Sequence, residues 1–283
     1  MDAPDLKLQQ VSVTRKMAAS LPRLREIAQG KGLKMHHLGA GYPHPEVTDP
    51  RKFLEHQSRY FEFLEKKEGI NEAQNLPEYL RESYSYTDTL GPRSTRDCFA
   101  RVYGSDWGID IDPDLLIPTV GASGGINLIC SLFERPGKMV AYITDAPTYP
   151  GFTARAGLCQ HATIFSVEMD EEGAKPDEFE RQIKKARELG HYVPFYYTVP
   201  DGHNPAGFSF SQSRRQQLLD IAREQDLLIV EDAPYVYINF AESADRPDPF
   251  FVMDPKQTVH PVSYTHLRAH ETDSYLVCRL LLE

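Results

Sequence analysis

Four aliphatic residues, Leu227-Leu228-Ile229-Val230, run directly into two acids, Glu231-Asp232, and then Ala233-Pro234-Tyr235. Such a run reads as a strand buried on both faces, and open α/β sheets bind ligands beyond the carboxyl ends of strands like it. A carboxylate at that position can hold a proton on a heteroaromatic nitrogen, a task suited to Asp232. Upstream, Asn204-Pro205-Ala206-Gly207 forms a turn whose asparagine can offer its amide to a ring hydroxyl. Gly121-Ala122-Ser123-Gly124-Gly125 leaves one apolar segment and enters the next. If it opens a helix, its free N–H groups suit a phosphate dianion, although a ligand-free strand–helix turn has the same composition. Tyr149, in Pro147-Thr148-Tyr149-Pro150, can plate a flat ring or simply pack.

The elements that must position these groups follow from periodicity. Residues 11–30 carry Met17, Leu21, Leu24 and Ile27 at helical spacing, and residues 51–67 read as a second helix. Helices are predicted at 93–103, 123–133, 177–189 and 211–225. Strands are predicted at 115–120, 139–144, 162–167, 192–199 and 227–231. Short apolar strands alternating with helices imply an α/β fold with a mostly parallel sheet covered by helices on both faces.

The net charge of −10 argues against a nucleic-acid surface. No segment reaches the roughly 18 apolar residues of a membrane span, and the N-terminus lacks the features of a signal peptide. Cys98, Cys130, Cys159 and Cys278 form no CxxC pair, so buried reduced thiols in a cytoplasmic protein are expected. His266, His270 and Glu271 lack the HExxH order, and no metal is expected.

Taken in order over residues 38–261, these segments resemble class I/II pyridoxal-phosphate (PLP) aminotransferases of fold type I. The wording around Tyr197-Thr198-Val199-Pro200 and Glu231-Asp232-Ala233-Pro234-Tyr235 is similar to the aromatic-amino-acid and 2-aminoadipate branch, which includes kynurenine aminotransferases. The resemblance implies that Asp232 pairs with the ring nitrogen of PLP, that Asn204 and Tyr235 contact its phenolic oxygen, and that Tyr149 stacks on its ring. It places Ala122 and Ser123 at the phosphate, where the family usually has Ser-Gln, so Ser123 supplies the hydroxyl and one side-chain ligand is lost. Tyr86 resembles the tyrosine that reaches the phosphate of a neighbouring subunit, which implies a homodimer. Gly41 and Tyr42 resemble a loop that closes over the amino-acid or 2-oxo-acid substrate.

One part of the pattern is missing. The family's Schiff-base lysine follows on the next strand, yet Lys256 is the sole lysine after Asp232 and lies in a turn sequence. The segment Val262-Ser263-Tyr264-Thr265-His266-Leu267 resembles the translation of a transposon-type sequencing adaptor. The expected organisation is an N-terminal arm (1–50), an incomplete PLP-binding domain (51–261) and a non-native tail (262–283). The parent is then an aminotransferase, and the sequence as written lacks the base for transamination. A C–S lyase or decarboxylase of the same fold, or a PLP-binding relic, shares the same residues. A regulator with an aminotransferase-like sensor needs a winged helix for which residues 1–37 are too short.

Overall fold

A computed structural model describes residues 13–35, 49–69, 85–237, 246–262 and 276–279. It divides into two compact units, residues 13–94 and, among the described residues, those from Thr95 onward. In the first unit, α1 is Val13–Gly30 and α2 is Pro50–Glu68. The start of α2 is set by local chemistry: the Asp49 carboxylate accepts the Arg51 N–H and Pro50 takes the first helical position. Gly69, at φ 66°, ends it in the left-handed conformation. The apolar stripe of α1 is exposed at Met17, Leu24 and Ile27, although its periodicity is that of a core-facing helix.

Helix α3 (Arg93–Trp107) crosses the boundary between the units. The second unit then runs through β1 (Leu116–Thr119), α4 (Gly121–Phe133), β2 (Val140–Ala146) and α5 (Pro150–Ala156). It continues with β3 (Ala162–Asp170), β4 (Gly173–Ala174), α6 (Pro176–Glu188), β5 (Tyr192–Thr198) and α7 (Gln212–Glu224). Last come β6 (Leu228–Glu231), α8 (Phe250–Met253), β7 (Thr258–Val259) and β8 (Leu276–Arg279). Six strands form one sheet in the order β4-β3-β2-β5-β6-β7, all parallel except β4.

Side chains alternate across this sheet as the strand period of two requires. Val140, Tyr142, Phe195, Tyr197 and Val230 pack with Ile126, Ile129 and Cys130 of α4 on one face. Ala141, Ile143, Tyr196 and Ile229 pack with Phe179, Ile183, Leu218 and Leu219 of α6 and α7 on the other. Each fully buried large apolar side chain contributes about 1.5–3 kcal/mol, so the two layers hold the sheet edges where the loops emerge.

The structure departs from the sequence expectation at short elements. β1 makes its ladder with β8, antiparallel, and lies outside the six-stranded sheet. Its four residues carry an apolar pattern that says nothing about which neighbour accepts its hydrogen bonds. α5, β4, α8 and β7 fall outside the predicted elements, because helices of seven and four residues and strands of two are too short to show a clear period. Among the described residues no helix is long and apolar enough to cross a membrane, and no group of three or more acidic, histidine or cysteine side chains is arranged to hold a metal. Residues 41, 42, 266, 270 and 271 lie outside the described residues.

Candidate functional site

Strand connectivity reverses direction between the two central strands of the sheet, β2 and β5. From β2 the chain moves outward to β3, whereas from β5 it moves in the opposite direction to β6 and β7. Adjacent strands whose connections diverge in this way leave a gap beyond their carboxyl ends, the usual ligand position in such sheets. The register aligns Thr144 with Tyr197 and Tyr197 with Val230. Three loops therefore emerge side by side, carrying Tyr149, Asn204 and the pair Asp232 and Tyr235.

The loop after β2 is tied back by the Thr144 hydroxyl, which donates to the Thr148 hydroxyl at 2.8 Å. Half-buried Tyr149 then caps α5. Its ring lies on Gly151, where an added Cβ would stand 2.3 Å from the ring. Glycine is required there for close approach rather than for its backbone freedom. Arg155 of α5 donates to both carboxylate oxygens of Glu134, at 2.7 and 3.0 Å, and so binds α5 to the end of α4.

The loop after β5 is anchored by two buried carboxylates. Asp145 accepts from the Tyr196 hydroxyl, from the Thr198 hydroxyl at 2.7 Å, and from His203 Nε2 at 3.2 Å. Because His203 Nδ1 accepts the Ala206 N–H at 3.2 Å, the proton of the neutral ring belongs on Nε2, facing Asp145. Burial, then the Asp145 charge, pushes the Tyr196 phenol well above its ordinary value, so it stays a donor. Asp201 pairs with fully buried Arg215 at 2.7 Å, and Arg215 also donates to the carbonyls of Pro200 and Phe210. Half-buried Asn204 thus sits on a turn fixed from two sides. Gly202, at φ 51°, packs on Tyr235: a Cβ added there would meet the Tyr235 Cβ at 3.4 Å. The β5 and β6 loops meet at that contact.

Glu231 and Asp232 face different surroundings. Glu231 accepts the N–H groups of Phe250 and Phe251 at 2.8 and 3.0 Å, holding the first turn of α8. It also bonds His260 Nδ1 at 2.8 Å, and His260 Nε2 meets the Tyr103 hydroxyl at 2.7 Å. Asp232 is 3 % exposed, and its Oδ2 accepts the Tyr197 hydroxyl at 2.6 Å. Among the described residues its Oδ1 is buried with no hydrogen-bond partner. Burial pushes the Asp232 carboxyl up to about 6, against the lowering effects of the Tyr197 hydrogen bond and nearby His260. The Tyr197 ring lies flat on Phe152, with centroids 3.9 Å apart and planes within 5°.

The structure therefore places Tyr149, Asn204, Asp232 and Tyr235 on the three neighbouring loops that follow β2, β5 and β6. Ala122 and Ser123 occupy the first turn of α4, which has no side-chain cap and packs on the same sheet face as Tyr197. Ser123 is exposed and Ala122 half-buried. Tyr86 belongs to the first unit and is fully exposed there. The sequence reading missed Tyr197, Asp145, His203 and Arg215 as supports. The alternation of Tyr196 and Tyr197 along β5 was the available signal, since it sends their hydroxyls to opposite faces.

Comparison with known proteins gives a consistent result. A model of the "Aminotransferase class I and II" family matches residues 69–264. An aromatic-amino-acid aminotransferase from Thermococcus litoralis is 27% identical over 172 residues, covering 61% of this chain and 40% of that protein. A (S)-3,5-dihydroxyphenylglycine transaminase from Amycolatopsis orientalis is 30% identical over 198 residues, 70% of this chain and 43% of that one. The chain thus spans well under half the length of these relatives. The crystal structure of an archaeal alanine:glyoxylate aminotransferase matches 100% of this chain and 65% of its own, with a TM-score of 0.75 and 25% identity. Pyrococcus horikoshii kynurenine aminotransferase, solved with pyridoxamine phosphate and kynurenine, matches 90% of this chain and 58% of its own with a TM-score of 0.67, and at 22% identity that likeness is of fold. With the family model covering most of its length, this chain belongs to the class I and II aminotransferases.

Proposed function

We propose that this chain is the cofactor-binding part of a PLP-dependent aminotransferase that moves an amino group from an aromatic or 2-aminoadipate-like amino acid to a 2-oxo acid. The observation that carries the reading is Asp232 Oδ1, a buried acceptor without a partner among the described residues. A desolvated, unpaired carboxylate oxygen is costly until a donor reaches it, and the protonated ring nitrogen of PLP is such a donor. Asn204 and Tyr235 would hold the ring's hydroxyl oxygen, and Tyr149 would cover one ring face. The N–H groups of the first α4 turn and the Ser123 hydroxyl would hold the phosphate, with Ala122 adding only its backbone. When bound, PLP supplies an electron sink for bond breaking at the substrate α-carbon. The chain's own task is to keep a proton at the ring nitrogen through Asp232, to orient the ring, and to exclude water from it.

The relative named for aromatic amino acids supports the aromatic part of the donor class. Gly41 and Tyr42 are proposed to close over that substrate, and Tyr86 to reach the phosphate of a second copy in a homodimer. The free thiols Cys98, Cys130 and Cys159 suit a reducing compartment, and the cytoplasm is part of the proposal. Lys256, the sole lysine after Asp232, lies in the turn before β7 and does not fit the role of covalent anchor and base, so transamination by these 283 residues is expected to be negligible. Residues 262–283 are proposed to be non-native.

Calorimetric titration with pyridoxamine phosphate tests the cofactor reading, because that form has no aldehyde to react with surface lysines. Binding that Asp232→Ala and Asn204→Ala each weaken about tenfold or more supports it. Binding indifferent to both substitutions, or none at millimolar ligand, refutes it. Sequencing the genomic locus across the Pro261 codon tests the tail: a frame that continues into a lysine-bearing strand supports the proposal, and one that ends at Glu283 overturns it.

A further inference from the structure

We infer that Tyr197 is the positioning residue for Asp232, holding Oδ2 so that Oδ1 alone is left to meet a cofactor's ring nitrogen. This rests on the reading of Asp232 given above. A carboxylate on a short side chain can turn either oxygen toward a ligand, and one strong hydrogen bond removes that freedom. Tyr197 donates to Oδ2 at 2.6 Å. The ring that carries the donor is itself fixed: it is fully buried in β5 and stacked on Phe152 at 3.9 Å.

The donor is also permanent. Burial first, and then the Asp232 charge, raise the Tyr197 phenol well above its ordinary value, so the hydroxyl keeps its proton at any working pH. Donation to the ionised carboxylate opposes the desolvation that drives Asp232 toward its neutral form. A neutral Asp232 could not hold a proton on a ring nitrogen by charge. The tyrosine therefore does two things for its neighbour: it selects the oxygen and it favours the anion. A ring present only for packing would do neither.

Tyr197→Phe separates these roles, since it keeps the ring and its stack and removes only the donor. The test is an NMR pH titration of the ligand-free chain carrying ¹³C-carboxyl aspartate, with Asp232→Asn identifying the resonance and circular dichroism checking the fold. The expected result is a rise of about one unit or more in the Asp232 midpoint in Tyr197→Phe, a tenfold change in its proton affinity. Pyridoxamine phosphate affinity at neutral pH should fall by a comparable factor. If Tyr197→Phe does not fold, Phe152→Leu, which loosens the stack but retains the hydroxyl, should move the midpoint the same way by less. An unchanged midpoint in the folded variant overturns the inference whatever happens to ligand binding. A raised midpoint together with ligand affinity that Asp232→Asn leaves unaltered supports the Tyr197–Asp232 coupling and overturns the cofactor reading instead.

Discussion

Replacing Asp232 with asparagine should stabilise the ligand-free protein, and by an amount that depends on pH. The Asp232 carboxyl is raised from 3.8 to about 6 in the folded chain, mainly by burial. Between those values the folded state holds a proton that the unfolded chain has released, so stability falls as pH rises through the window and levels off above it. About two units of difference correspond to about 3 kcal/mol at full ionisation. At about pH 4.5 the unfolded carboxyl is already mostly ionised and about 1 kcal/mol of this is present; at about pH 7.5 nearly all of it is. Asparagine removes the titration altogether. Its own buried NH₂ group carries a desolvation cost, but that cost is equal at both pH values and cancels in the comparison. The stability advantage of Asp232→Asn over the unsubstituted chain should therefore grow by about 2 kcal/mol from about pH 4.5 to about pH 7.5. Urea unfolding of both proteins at the two pH values measures it, provided the m-values agree. An advantage that stays constant within about 0.5 kcal/mol refutes the claim that Asp232 is a desolvated acid.

Other perturbations probe the supports of the site. Arg215→Ala strands buried Asp201 and should cost about 3–5 kcal/mol in the same unfolding assay. Tyr196→Phe takes one donor from Asp145 and should cost about 1–2 kcal/mol, with faster amide exchange across residues 201–207 than elsewhere in the unit. Gly151→Ala cannot coexist with the present Tyr149 ring position, so near-ultraviolet dichroism should change; an unaltered spectrum would mean that the ring does not lie on Gly151.

Much of the second unit was legible because its signals are local. The strands β2, β3, β5 and β6 are apolar runs bounded by turn residues, and their predicted limits differ from the observed ones by at most a few residues. Ser211, the first residue of the predicted helix 211–225, accepts the Arg214 N–H as the N-cap of α7. Asp232 and Asn204 stand out in the sequence for a related reason: each lies where a strand or turn signal ends, and their roles toward a cofactor belong to the proposal.

What could not be read is the pairing of distant groups. Nothing in the segment Tyr196-Tyr197-Thr198 states that one phenol meets Asp145, 51 residues earlier, and the next meets Asp232, 35 residues later. Glu231 and Asp232 are chemically alike and adjacent, yet one holds α8 and His260 while the other keeps an oxygen free of described partners. By itself the sequence determined element types, because those follow from period and turn chemistry along the chain. Strand order and the burial that raises Asp232 were decided by tertiary structure, since each depends on which surfaces exclude water and which donors come within hydrogen-bond reach.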